Sequence, residues 1–513
     1  MNPETLRQIR NRYPLLLFLF FYLLWTLFTY QDFGETWDES GVYARGIVLF
    51  HHLAGDPRTD FILHKTSPDD GMVLYDHLYC MVLYLFNPAG DVDVYHWLNM
   101  AFGALLFIAS FEVLLSLYQR PLGALWGPLF LALTPRLLGD IPANPKDMPF
   151  AVLYFLSLSA IYFLNKRLST SSFVKGLVLG ILFGLALCAR MLGLTLFVVY
   201  FLFELYARFR KEENRRIHYV FLFLKNFLPS FLITFALSHF ILLFSWPYLR
   251  AGFPKHLWEI LSAAKNFSWL NNVLFMGREV PAASLPWTYL PVWLLVTTPL
   301  FILVFLTLAC FMKDKAKNGP LVLFSLALGV NFILVLVLKP VLYDGLRHFL
   351  FFLPPMALLA AMSLIETLKN ARALWLRPAI LAFAGLNMAL VLNHMVRLHP
   401  YEYVYFNECI GGLKGSEGKF DNDYWGASYK EAVEWLKRNE AKDPNRIYKV
   451  NGSGNAYQIA YYFPPNMAWS DFKDADYYLS CTRDDKHKLA DASKVIHKIE
   501  REGVPLNYIF KLK

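Results

Sequence analysis

The stretch Pro14–Ser40, PLLLFLFFYLLWTLFTYQDFGETWDES, passes from unbroken hydrocarbon into an acidic turn within a few residues. Its apolar half, about Leu15 to Tyr30, approaches the length needed to cross about 30 Å of bilayer interior. Arg7, Arg10 and Arg12 precede it and no small-x-small cleavage site follows. It therefore reads as a retained anchor with its basic flank in the cytoplasm. The polar half opens the first non-cytoplasmic loop, where Asp38 and Glu39 stand in water but within reach of a lipid headgroup. That is a useful place for a base. A loop carboxylate is ordinarily just solvated, so the rest of the chain has to decide.

Composition narrows the choice. The 513 residues are 56% hydrophobic and 17% charged, with a mean hydropathy of +0.36. Soluble domains are roughly 45–50% apolar and about 25% charged, so this is a membrane protein. The net charge of +9 could suggest nucleic acid. Its Lys and Arg, however, lie in short clusters between apolar runs, which encodes topology rather than a binding face, and nucleic acid is set aside. The five cysteines show neither a CxxC nor metal-like spacing. Cys188 and Cys310 sit in apolar runs as packing residues. Cys409 and Cys481 share the polar C-terminal part, where a disulfide can form if that part lies outside the cytoplasm.

Taken in order, the apolar runs predict a polytopic α-helical membrane protein of about 11 transmembrane helices over residues 1–398. A first outer loop covers 31–95, and in it YARGIVLFHHLAG and YDHLYCMVLYLFN read as helices lying in the interface. The second span starts near Trp97. The third, GALWGPLFLALTP, is short and leads into RLLGDIPANPKDMP; the fifth is interrupted by CARMLG around Arg190. A second outer loop covers 246–290, and the eighth span runs over about Val292 to Met312. Basic clusters at the N-terminal flank, Lys166 with Arg167, Arg208 to Lys225, Lys313 to Lys317 and Lys369 to Arg377 all fall on one side. The positive-inside rule makes that side cytoplasmic. An odd number of spans then puts the C-terminus outside.

Residues 399–513 change character and read as a small, soluble, mixed α/β extracytoplasmic domain. An amphipathic helix is expected over about Ser428 to Asn439. RIYKVNG, AYQIAYYF, DADYYLSC and LNYIFKLK read as strands, with a helix around ASKVIHKIE. GSGN near Ser453 is a turn, since it lacks the Lys and Ser/Thr of a phosphate loop.

Four polar groups on the outer face adjoin spans: Asp38 with Glu39, Arg136 through Asp147, Arg190, and Tyr343-Asp344 with Arg347-His348. Singly, each fits a snorkelling or loop charge. Charges at the membrane edge are nonetheless expensive and tend to mark function. Together, a base-bearing loop and several cations at one interface fit an enzyme that handles an anionic lipid headgroup.

Three stretches carry a family resemblance: WDES after the first span, PRLLGDIPANPKDMPF before the fourth, and LYDGLRHFLFFLPP leading into a late span. Their order resembles the GT-C glycosyltransferases, in particular bacterial relatives of the protein O-mannosyltransferases. YFNECIGG followed by DYWGASYKEAVEWL is similar to the start of the external domain in one bacterial branch. The resemblance implies transfer of a sugar from a polyprenyl-phosphate donor to a glycan, lipid or protein acceptor at the outer face of the bacterial inner membrane. It implies Asp38 as catalytic base with Glu39 in support, and Asp147 with Lys146 in positioning the donor or acceptor or in holding a metal. It also implies Arg347 and His348 at the carrier phosphate, with Arg190, Tyr343 and Asp344 in the same donor-binding group. Some relatives bind a divalent ion; no ligand cluster is evident here, and metal dependence stays open. A transporter or flippase of a lipid-linked intermediate is the rival reading. It calls for matched repeats with broken helices in corresponding positions, which the sequence does not display.

Overall fold

The computed structural model describes residues 3–64, 77–166, 170–209, 216–265, 271–312 and 319–513. Arg167, most of the Arg208 to Lys225 cluster's central residues and Lys313 to Lys317 lie outside them. The described residues contain nine helices long and apolar enough to cross a membrane, or eleven spans if two sharply bent helix pairs each count as one. They are α1 (Pro3–Thr29), α4 (Val92–Tyr118), α7 (Asp147–Lys166), α8 (Ser172–Ala189), α9 (Thr195–Phe209, with a preceding 3-10 turn), α10 (Arg216–Ser245), α14 (Gly319–Leu338), α15 (Leu353–Asn370, behind a 3-10 turn from Arg347) and α16 (Leu376–Leu398). The bent pairs are α5–α6 (Pro121–Ala132 and Pro135–Ala143) and α12–α13 (Tyr289–Thr297 and Leu300–Ala309). Two shorter helices, α2 (Glu39–Leu53) and α3 (Leu78–Phe86), pack on each other in the first loop.

Burial sorts these helices into layers. The Arg347–Asn370 span is 94% buried and α7 is 78% buried, whereas α1 and α16 are each 17% buried. The first two form the centre of the bundle, and the others present their apolar faces outward, as a hydrocarbon solvent allows. Polar caps define several starts: Asp91 accepts from the backbone N–H groups of Asp93 and Val94 ahead of α4, and Ser171 accepts from Val174 ahead of α8. Helices α8 and α10 meet along Gly176, Gly180 and Gly184. A Cβ at these positions would stand 2.5–2.9 Å from Ile233, Leu237 and Ile241, the close approach that small-xxx-small stripes permit.

The eighth span departs from expectation. It is not continuous but bends by 117° between α12 and α13. Pro299 cannot donate a backbone N–H and disfavours helix at Thr298, which is extended (φ −90°, ψ 133°). The break leaves carbonyls without helical donors, and a residue from far along the chain supplies them. The Asn407 amide donates to the carbonyls of Leu295 (2.6 Å) and Thr298 (2.8 Å), and its backbone N–H donates to Val296 (2.8 Å).

The second loop carries helix α11 (Lys255–Lys265) and a hairpin of β1 (Asn272–Phe275) and β2 (Arg278–Pro281). Its two turn residues, Met276 and Gly277, both have positive φ, as tight hairpins require. Beyond α16 the chain forms a five-stranded sheet in the order β4-β3-β5-β7-β6. Its strands are β3 (Tyr448–Gly452), β4 (Met467–Trp469), β5 (Tyr477–Cys481), β6 (Val495–Arg501) and β7 (Val504–Lys511). Helix α17 (Tyr429–Asn439) covers it, burying Tyr429, Ala432, Val433 and Leu436 at helical spacing.

Two expectations here are corrected. AYQIAYYF is not a strand: Asn455 caps a short helix, α18 (Ala456–Ala460), by accepting from the Tyr457 N–H. ASKVIHKIE is not a helix: Val495–Arg501 is β6, the edge strand paired antiparallel with β7. Cys409 is exposed, Cys481 is buried, and both are free thiols.

Candidate active site

Residues from five separated segments converge where α2, α7, α8 and α15 begin or end. Asp38 is the residue before α2. The Asn144–Asp147 turn precedes α7, with the Asn144 side chain accepting from the backbone N–H groups of Lys146 (3.3 Å) and Asp147 (2.8 Å). Arg190 stands in extended conformation at the end of α8. Tyr343 to His348 form the turn into the central span, with Asp344 and Gly345 both at positive φ. Arg483 follows β5.

The side chains form a chain of ion pairs. Arg347 Nη1 donates to Asp38 Oδ2 at 2.9 Å and lies 3.4 Å from Asp344 Oδ2. Arg483 Nη2 donates to Asp344 Oδ1 at 2.7 Å, and its Nη1 to the Tyr424 carbonyl, also at 2.7 Å. Arg190 pairs with Asp147. The Arg347 guanidinium lies over the rings of Tyr343 (5.0 Å) and Trp425 (5.3 Å), and that of Arg483 over Trp37 (5.5 Å). His348 packs edge-on against Tyr343. Arg347 Nε has no hydrogen-bond partner among the described residues. A small pocket adjoins Lys146, with Val42, Arg45, His77, Pro149 and Cys188 among its lining residues.

Exposure separates the three carboxylates. The Asp38 side chain is 26% exposed, against 5% for Asp147 and 6% for Asp344. Burial alone would raise the Asp38 pKa. The charges of Arg347 and Lys146, the hydrogen bond from Arg347 and the charge of Arg190 outweigh that and hold it well below the usual carboxylate range. Lys146 moves the other way: burial, reinforced by Arg190 and Arg347 against Asp38 and Asp147, brings it down to about 8.

Of the nine residues picked out from sequence, eight share this cluster and Glu39 faces elsewhere. It is fully buried: its carboxylate accepts from the Thr36 N–H (2.7 Å) and the Tyr43 hydroxyl (3.2 Å) and lies 3.0 Å from His96 Nε2. The Thr36 contact closes the turn ahead of α2, so Glu39 braces the turn that presents Asp38. Sequence reasoning missed Arg483, Trp37 and Trp425. WDES and DYWGAS did contain the two tryptophans, but no local signal marks Arg483, which lies 139 positions from Asp344. No group of three His, Cys, Asp or Glu side chains among the described residues could hold a metal ion. The site's carboxylates are instead turned toward Arg and Lys, a donor set that does not fit a divalent cation.

This bundle of straight and bent helices, with the acidic, NPKD and DGLRH turns meeting under a C-terminal sheet, has a fold already seen in solved structures. Two solved structures share it across nearly their whole length. ArnT from Cupriavidus metallidurans bound to undecaprenyl phosphate is similar at a TM-score of 0.50 and 12% identity, over 97% of this chain and 98% of that one. The same protein in the apo state is similar at 0.51 and 11%, over 96% and 97%. No family model matches the sequence, and no curated protein does.

Proposed function

We propose that the chain is a glycosyltransferase that moves a sugar from a polyprenyl-phosphate donor to an acceptor hydroxyl at the outer face of the bacterial cytoplasmic membrane. Asp38 is its general base. Residues 1–398 form the membrane domain with the N-terminus in the cytoplasm, and 399–513 the extracytoplasmic domain. The observation that carries the reading is the most exposed of three clustered carboxylates, Asp38, faced by cations from three segments, Arg347, Lys146 and Arg190. Undecaprenyl phosphate bound by a protein of this fold supports the lipid-phosphate donor.

The chemistry follows from the arrangement. Asp38 takes the acceptor proton as the hydroxyl oxygen attacks the anomeric carbon. The bond from that carbon to the phosphate oxygen breaks, its electron pair leaves with the phosphate, and the centre inverts. Arg347, whose Nε is uncommitted, acts with Lys146 and Arg190 to neutralise the departing charge, and His348 offers it a hydrogen bond. Tyr343 and Asp344 hold the Arg347 fork in plane, and Asp147 holds Arg190. The same cations gate the base. With Arg347 committed to it, Asp38 is ionised but weakly basic; an anionic phosphate docking on Arg347 and Lys146 offsets their charge and raises its basicity toward the working pH.

The test is direct. Purified protein in lipid nanodiscs is offered a panel of undecaprenyl-phosphate sugars with inner-membrane lipid and glycan acceptors, and products are read by mass spectrometry. Wild type should consume one donor, and Asp38→Asn should lose transfer by roughly 10²–10⁴-fold while still binding undecaprenyl phosphate. Full transfer by that variant sinks the assignment.

A further inference from the structure

Two walls of the site come from sequence-distant parts of the membrane bundle, and residues beyond α16 grip both. On the first wall, the Trp37 N–H donates to the Trp425 carbonyl (3.0 Å) and the Gln458 amide to the Glu35 carbonyl (2.7 Å). A Cβ on Gly34 would stand 2.0 Å from the Ala427 carbonyl oxygen. On the second wall, Arg483 reaches Asp344 in a turn that has no regular secondary structure of its own. Arg483 comes two residues past the end of β5, a fully buried strand held between β3 and β7, so the sheet's geometry sets where its guanidinium lies.

We infer that Arg483 is a positioning residue of the active site: by holding Asp344, it directs Arg347 toward Asp38 and so sets the orientation and charge state of the base. The inference rests on the glycosyltransferase reading above. Asp344 stands between two arginines, 2.7 Å from Arg483 and 3.4 Å from Arg347. While Arg483 satisfies Oδ1, Arg347 keeps its shorter contact for Asp38. Without Arg483, a buried carboxylate would be left with Arg347 as its cation and would draw it away, because an uncompensated buried charge is costly. Asp38 would lose the partner that outweighs its own burial. The charged groups facing Asp38 are Arg347 and Asp344 from the late turn, Lys146 and Asp147 from the NPKD turn, and Arg190 from the end of α8. Arg483 acts on it through the first two.

The experiment is a pH series of kcat and KM on full-length protein, using the undecaprenyl-phosphate sugar that wild type consumes. The variants are Arg483→Ala, Arg483→Gln, Arg483→Lys, Asp344→Asn and the double variant of Asp344→Asn with Arg483→Ala, with Lys488→Ala, an exposed neighbour in the same loop, as control. Arg483→Ala and Arg483→Gln should lose about 10- to 100-fold in kcat, the scale of a hydrogen bond to a charged group, with donor KM changing by less than about threefold. The acid limb of kcat should move up by about one pH unit. Arg483→Lys should restore much of both, Lys488→Ala should match wild type, and the double variant should be no worse than Asp344→Asn. If Arg483→Ala does not fold, the contrast between the Lys and Gln variants decides. A dead Asp38→Asn beside an Arg483→Gln of normal kcat and pH limb would overturn the role of Arg483 alone. A fully active Asp38→Asn would instead remove the reading on which it rests.

Discussion

Neighbouring side chains can have opposite fates when a helix begins between them. Asp38 precedes α2 and points into the cationic cluster; Glu39 is its first residue and, about 100° further round the axis, points into the bundle against His96. The sequence motif supplied a pair of acids without that division of labour, which depends on packing 57 residues away. A third acid in the same turn was passed over. Glu35 is 2% exposed, and burial together with the nearby charge of Glu39 raises its pKa from 4.5 to about 8. The stability attached to its neutral form is fully present below its unfolded value and is lost as pH rises through the folded one. Thermal midpoints of the detergent-purified protein should therefore fall between about pH 5 and about pH 8. Glu35→Gln should flatten that fall; an unchanged slope would show that Glu35 ionises at its ordinary pKa.

At the scale of elements, long apolar periodicity was legible and local competition was not. Most membrane helices lie where uninterrupted hydrophobic runs place them, because the bilayer makes length the deciding quantity. The bend at Pro299 was signalled by the Thr-Thr-Pro sequence, yet what makes it tolerable, the Asn407 side chain, arrives from over a hundred residues on. Asn407→Ala would remove the donor to the Leu295 and Thr298 carbonyls, at roughly 1–3 kcal/mol for the buried Thr298. It should lower the thermal midpoint even though Asn407 touches none of the charged residues, and an unchanged midpoint would show that the break supports itself. In the sheet, ASKVIHKIE carries apolar residues compatible with either period, and pairing with β7 selects the strand. AYQIAYYF is rich in strand-forming aromatics, but the Asn455 cap wins locally.

For the whole molecule, the three turns named from sequence do converge, because they lie at the ends of helices that must all end near one plane. The fifth contributor was invisible: nothing within the residues around Arg483 distinguishes it from a surface arginine. Its place depends on β5, whose neighbour in the sheet is β7. Deleting Val504–Lys513 should leave the membrane helices inserted, as read by protease mapping, while abolishing transfer. A truncated chain that still turned over would show that the sheet is dispensable.

That dependence has a bearing on biogenesis. The turn bearing Asp38 is synthesised long before β7, so the two walls come under one grip only once β7 has emerged. A chain whose β7 had not yet emerged would carry the described membrane helices and still lack the hold of Arg483 on Asp344, so under the proposed function it would not spend lipid-linked sugar.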